Sequence, residues 1–297
     1  MIGTTLFKIQ LACFLAFVSA PLHGQEEQGE IVIRAVKGTP TGAIAAFTEE
    51  MIQPGENGRV SRWASHLCLD IRGVSPEQTA FFMARFRRVG HSLGLQVLPR
   101  GDCAPSALVI FAAEGEAMAR ELATQRVDLL AMAGKKDRDA FLASTAPVRR
   151  LAEGNLRSED GQTPQGFSLD AKNPAAIPAA ANKGFMASRL TSGARLDLSR
   201  MLVLVDAAKL DGASNRQIAD YLVMTVIGNV DPARIEVGRN SIMGLYARRH
   251  GSGHAESLTA WDESFLASLY DGAWNGDGSR VTRRIRSDML RSGFLKD

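Results

Sequence analysis

The chain is short of aromatic residues, of cysteines and of net charge, and each shortage closes off a class of protein. Aromatics are 6% of its 297 residues, too few for a typical β-sandwich; with frequent Ala and Arg this describes a helix-rich α/β protein. Lys and Arg number 35 against 32 Asp and Glu, a balance that implies no nucleic-acid partner. Beyond the first thirty residues no stretch approaches the roughly 18 apolar residues of a membrane helix, so the rest of the chain reads as soluble. Walker A, G-x-S-x-G and S-x-x-K motifs are missing, and GSGHAE lacks the glycines of a dinucleotide loop. NGDGS (275–279) lacks the upstream carboxylates and the final Glu of a calcium loop and reads as a turn.

What is there begins with an address. Lys8 precedes the apolar run Ile9 to Val18 (IQLACFLAFV), and small residues follow through Ser19, Ala20 and Gly24. That order is the order of a secretory signal peptide, and the run is too short to span a bilayer. Residues 1–24 are therefore expected to be removed, which makes the protein periplasmic or secreted. Loss of Lys8 leaves 34 basic against 32 acidic side chains, a net charge of +2. Cys13 leaves with the signal, and Gln10 stands where a lipoprotein box wants Leu. Of the remaining pair, Cys68 and Cys103, the first reading in an oxidising compartment is a disulfide; a thiol catalytic pair is the alternative, and no histidine motif accompanies it.

Residues 25–60 read as a flexible N-terminal arm, β-rich at IVIRAV (31–36) and then turn-like through KGTPTG and QPGENGR. Residues 61–297 read as a single α/β domain. LCLDIRG (67–73) alternates like a strand, and SPEQTAFFMARFRRVGHSLG (75–94) is an amphipathic helix with Ser75 as N-cap and Gln78 three residues on. ALVIFAA (107–113) suits a buried strand. Residues 114–130 and 135–144 have helical patterns. A long loop without periodicity occupies 150–185, and RMLVLVDAAKL (200–210) is the clearest strand of the chain. Ser214 and Gln217 form a capping box for a mostly apolar helix that Gly228 is expected to end. Two helices close the sequence, over 257–272 and 279–291.

The succession MLVLVDA, QIADYLVMTVIG, NSIMGLY and LTAWDESFLASLY, strand, helix, Met-containing turn and closing helix, resembles the core of zincin metallopeptidases, metzincins in particular, and is similar to uncharacterised secreted bacterial proteins with a degenerate core of that kind. The resemblance covers roughly residues 60–272 and implies a zincin-like mixed sheet with a buried central helix and C-terminal helices. It also implies which positions would carry chemistry. The two zinc histidines of the family's H-E-x-x-H helix fall on Asp220 and Met224, the catalytic glutamate on Tyr221, and the Met-turn on Met243. Zinc needs imidazole, thiolate or carboxylate donors in a tetrahedral array. A thioether binds it poorly, and a phenol is no general base near neutral pH. The same side chains suit a central helix packed against a sheet, with Asp220 paired to Arg216 one turn earlier and Met243 as core filler.

Other candidates have two readings each. His250 and His254, with Glu256 nearby, have H-x3-H spacing and can chelate a metal, but two intervening glycines make them loop histidines. His66 and His91 have no visible partner. Arg280, Arg283, Arg284, Arg286 and Arg291 concentrate positive charge on the last helix, either for an anionic lipid, glycan or protein or as a solvated face. The expected function is therefore non-catalytic binding or structural interaction, with no cofactor. The alternative is a metallohydrolase with rearranged ligands drawn from Asp220, His250, His254 and Glu256.

Overall fold

A computed structural model describes residues 39–52, 54, 58–158, 161, 194–210, 212–236, 238, 240–247, 255–272 and 278–292. The expected signal at 1–24, the IVIRAV stretch, His250, His254 and most of NGDGS lie outside them. The described chain is an α/β protein whose mixed sheet separates two groups of helices.

The parallel part of the sheet is built from β2 (Leu67–Arg72), β3 (Val97–Pro99), β4 (Ala107–Ala112) and β6 (Ala194–Asp206), with the two-residue β1 (Ser61–Arg62) beside the start of β6. From one edge the order is β3, β2, β4, β6, and β5 (Val148–Ser158) then pairs with β6 antiparallel. Residues 150–158 are therefore strand where sequence suggests loop, because β6 begins at Ala194 and offers them a partner; 162–193 lie outside the described residues. A register shift at Glu153/Gly154 bends the ribbon as it leaves the sheet.

From Met201 to Val205 β6 is apolar on both faces because both are covered there. Met201, Val203 and Val205 enter the larger core, made with α1 (Pro40–Met51), α2 (Pro76–Ser92), α6 (Asn215–Val226), α7 (Ala260–Tyr270) and α8 (Gly278–Arg291). Leu202 and Leu204 enter a smaller core with α3 (Gly115–Gln125), α4 (Val127–Leu130) and α5 (Lys135–Ala143). The pattern over 114–130 is split between α3 and α4, since Arg126 leaves helical geometry (φ −133°, ψ 49°).

The arm expectation fails over residues 40–51. Thr39 caps α1 by accepting from the Gly42 N–H, Pro40 occupies the first helical position, and Ile44, Phe47 and Met51 are buried. Each such side chain contributes about 1.5–3 kcal/mol, which is enough to dock a segment whose flanks look like turns.

Ser75 and Ser214 close the expected capping boxes with Gln78 and Gln217. The end of α6 differs from expectation. Asn229, at φ +53°, takes the left-handed position in place of Gly228; Gly228 is small for another reason, since a Cβ there would press on the Met224 carbonyl at 2.7 Å. Trp63 Nε1 donates to the Val226 carbonyl (2.8 Å) and the Tyr270 hydroxyl to that of Ile227 (3.0 Å), so two of the helix's orphan acceptors are satisfied.

Candidate functional site

α6 is the element on which zincin-type chemistry would rest, and its polar groups are committed to the fold. Asp220 is fully buried. Arg85, from α2, donates to it through Nε and through Nη2 (3.1 Å), and the Leu258 N–H donates at 2.9 Å. Its partner is thus Arg85 and not Arg216, which is exposed: Asp220 points between α2 and the segment entering α7, within reach of a side chain from α2. Tyr221 lies edge-on to Tyr246, centroids 5.2 Å apart, and burial drives its phenol far above the ordinary range. Met224 has no exposed surface.

The Met-containing turn forms a short 3₁₀ segment, Ile242–Tyr246, packed on α6, with Met243 fully buried. Its anchor is Asp262. That carboxylate accepts from the Ser241 hydroxyl (2.5 Å), the Ile242 N–H (2.9 Å), the Thr259 N–H (2.9 Å) and the Thr259 hydroxyl (3.0 Å). Burial pushes the Asp262 carboxyl up to about 6, opposed by these hydrogen bonds. Gly238 makes the approach to this turn possible: its φ is +58°, and a Cβ there would overlap the Gly244 backbone. The structure therefore brings Asp220, Tyr221, Met224 and Met243 into one buried region. Glu256 is exposed, and among the described residues no three His, Cys, Asp or Glu side chains converge as a metal site.

Cys68 and Cys103 are bonded, Cα atoms 5.9 Å apart, tying β2 to the turn before β4. Among the described residues no helix is long and apolar enough to cross a membrane. The basic face of α8 is divided. Arg284 donates to the Ser268 and Asp271 carbonyls at the end of α7, and Arg286 to Thr48 and Glu49 of α1, while Arg280, Arg283 and Arg291 are exposed. Two of the five arginines thus act as internal struts, favoured at a helix C-terminus and beside a carboxylate.

Sequence reasoning missed a polar cleft of ≈ 220 Å³ among the described residues, where β6 has left β1 and not yet met β4. Trp63, His66, Ser106, Asn155, Arg157, Asp197 and Ser199 line it. Ser106 accepts from the Cys68 N–H (3.0 Å), and Asp197 is paired with Arg195 (2.9 Å). No periodic signal marks such a gap, because its walls come from four separate segments. The chain matches no protein-family profile, no curated protein and no solved structure.

Proposed function

We propose that this chain is an exported, non-catalytic protein built on a zincin-like core and used for binding or structural interaction. The observation that carries the reading is the state of α6. The one carboxylate at a ligand position, Asp220, is spent on Arg85 and the Leu258 N–H, and Tyr221 and Met224 are core residues. A catalytic zinc needs about three N, O or S⁻ ligands with an open fourth position. Support for the zincin kinship comes from the arrangement: an antiparallel edge strand, β5, lies beside β6, and β6 leads into the buried α6 and the Met-containing turn. Support for export comes from the Lys8 and Ile9–Val18 pattern and from the disulfide, which fits an oxidising compartment. The cleft beside Trp63 offers a concave polar surface for such an interaction.

The test is metal content and peptidase activity of the full chain after dialysis. Metal at well below one equivalent and no cleavage of a mixed peptide library are expected. Stoichiometric zinc lost on Asp220→Ala, together with a peptidase activity, overturns the reading in favour of the rearranged-ligand hydrolase.

A further inference from the structure

The cleft beside Trp63 has walls that the fold holds in place. One wall is the connection from β1 to β2, pinned on both sides of Ser65 and His66. The Trp63 indole donates to the Val226 carbonyl (2.8 Å), the Leu67 N–H to the Gln96 carbonyl (2.8 Å) and the Cys68 N–H to the Ser106 hydroxyl (3.0 Å). The other wall is the ribbon of β5 and β6 beyond the register shift, where Asn155 lies opposite Asp197. Residues directly opposite in an antiparallel pair share a face, so both side chains turn to the same side of the ribbon, and both line the cleft.

The chemistry of these walls is mixed. Asp197 is paired with Arg195 of its own strand, Nε to Oδ1 at 2.9 Å and Nη2 to Oδ2 at 3.1 Å, and its side chain stays 14% exposed. Its charge is thus compensated while the carboxylate can still accept from a hydroxyl. Arg157 adds a guanidinium with five N–H donors. Ser65 and His66 are exposed, Asn155 is half-buried, and none of the three side chains makes a hydrogen bond among the described residues. A serine hydroxyl, a neutral imidazole and a carboxamide each both donate and accept.

We propose that the cleft binds one neutral sugar unit. This rests on the binding reading of the protein and gives it a ligand class. A sugar hydroxyl donates one hydrogen bond and accepts others, which suits a wall that mixes an acceptor (Asp197), a donor (Arg157) and groups that are both. A charged ligand is at a disadvantage whatever its sign, because an anion meets Asp197 and a cation meets Arg157 and Arg195. An apolar ligand would cover the open polar groups without giving them partners. The volume of the cleft, ≈ 220 Å³, lies below the roughly 300–1,000 Å³ of pockets for drug-sized molecules, so the occupant is about one ring in size.

Calorimetric titration of the dialysed full chain with glucose, galactose and mannose tests this. Saturable one-to-one binding of at least one of them is expected, with glucuronate and glucosamine, which add a negative and a positive charge to the same ring, weaker by about tenfold or more. The Asn155 side-chain amide resonance should shift along the same saturation curve, which places the ligand in the cleft. Equal binding of the methyl glycoside identifies a sugar at the end of a glycan as the source; its exclusion identifies the free sugar. Asn155→Ala and Ser65→Ala should each weaken binding about two- to tenfold, while Arg283→Gln, on the exposed side of α8, leaves it unchanged. No saturation by any of the three sugars, equal affinity for the charged analogues, or binding that ignores both substitutions in a folded protein overturns the proposal. The wild-type titration decides even if a variant fails to fold. Metal content and peptidase activity do not enter it, so stoichiometric zinc would overturn the non-catalytic reading and leave the cleft standing, and a cleft that binds no sugar would leave that reading intact.

Discussion

The guanidinium of Arg85, on α2, closes on the carboxylate of Asp220 in the middle of α6. The pair joins two helices, and through the Leu258 N–H it also fixes the entry to α7. Taking two charges out of water is expensive, so such a pair stabilises little against an apolar substitute, but removing one member strands the other. Asp220→Ala should therefore destabilise by about 3–5 kcal/mol, whereas Asp220→Leu combined with Arg85→Met should recover most of the loss. Urea denaturation of wild type and the two variants checks this, and a double variant no better than Asp220→Ala would show that the pair contributes more than mutual neutralisation.

Met224 makes a simpler claim. It has no exposed surface, so Met224→Ala removes buried methylenes and leaves a cavity, at about 2–5 kcal/mol. Denaturation midpoints measure it. A loss below about 1 kcal/mol would mean that α6 can collapse onto the site, contrary to the packing on both its sides.

The Asp262 anchor predicts a pH dependence of defined sign. Its carboxyl, about 6 in the fold against an ordinary 3.8, holds its proton more tightly in the folded protein than in the unfolded chain. The stabilisation linked to that proton is complete below about 3.8 and is lost as pH rises through about 6. Wild type should therefore lose stability relative to Asp262→Asn as pH increases across this interval. Thermal melts of both proteins through the interval test it; a difference that stays flat with pH, or grows in favour of wild type, contradicts the raised carboxyl.

The elements with local signals were legible in sequence. Ser75 with Gln78 and Ser214 with Gln217 announced two helix starts because a capping box lies within four residues, and LCLDIRG and MLVLVDA announced strands because their apolar content needs no partner to be recognised. What depended on distant residues was not legible. Residues 150–158 look like loop until β6 pairs with them from 194 onward. Residues 40–51 look like an arm until the core accepts Phe47, which packs edge-on against Trp261 and Phe265. Asp220 faced a local candidate, Arg216, and a remote one, Arg85, and only tertiary packing decides between them.

The Cys68–Cys103 bridge links compartment to stability. Cys68 is fully buried on β2, and Cys103 lies in the turn that delivers the chain to β4. The two are separated by 35 residues of sequence, and that segment contains α2 and β3, so the bridge closes a loop around one complete strand–helix–strand unit. On the chain-entropy estimate, closing a loop of this length stabilises by about 3–4 kcal/mol, chiefly by restricting the unfolded chain. Cys68→Ala with Cys103→Ala should lower stability by that amount and leave the sheet intact, since Ser106 still accepts from the Cys68 backbone N–H. Mass spectrometry of alkylated protein prepared without reductant should find no free thiol at either position, and reduction should lower the denaturation midpoint to that of the double variant. Protein that carries two free thiols, or whose midpoint ignores reductant, would refute both the stabilising role of the bridge and the support it gives to export.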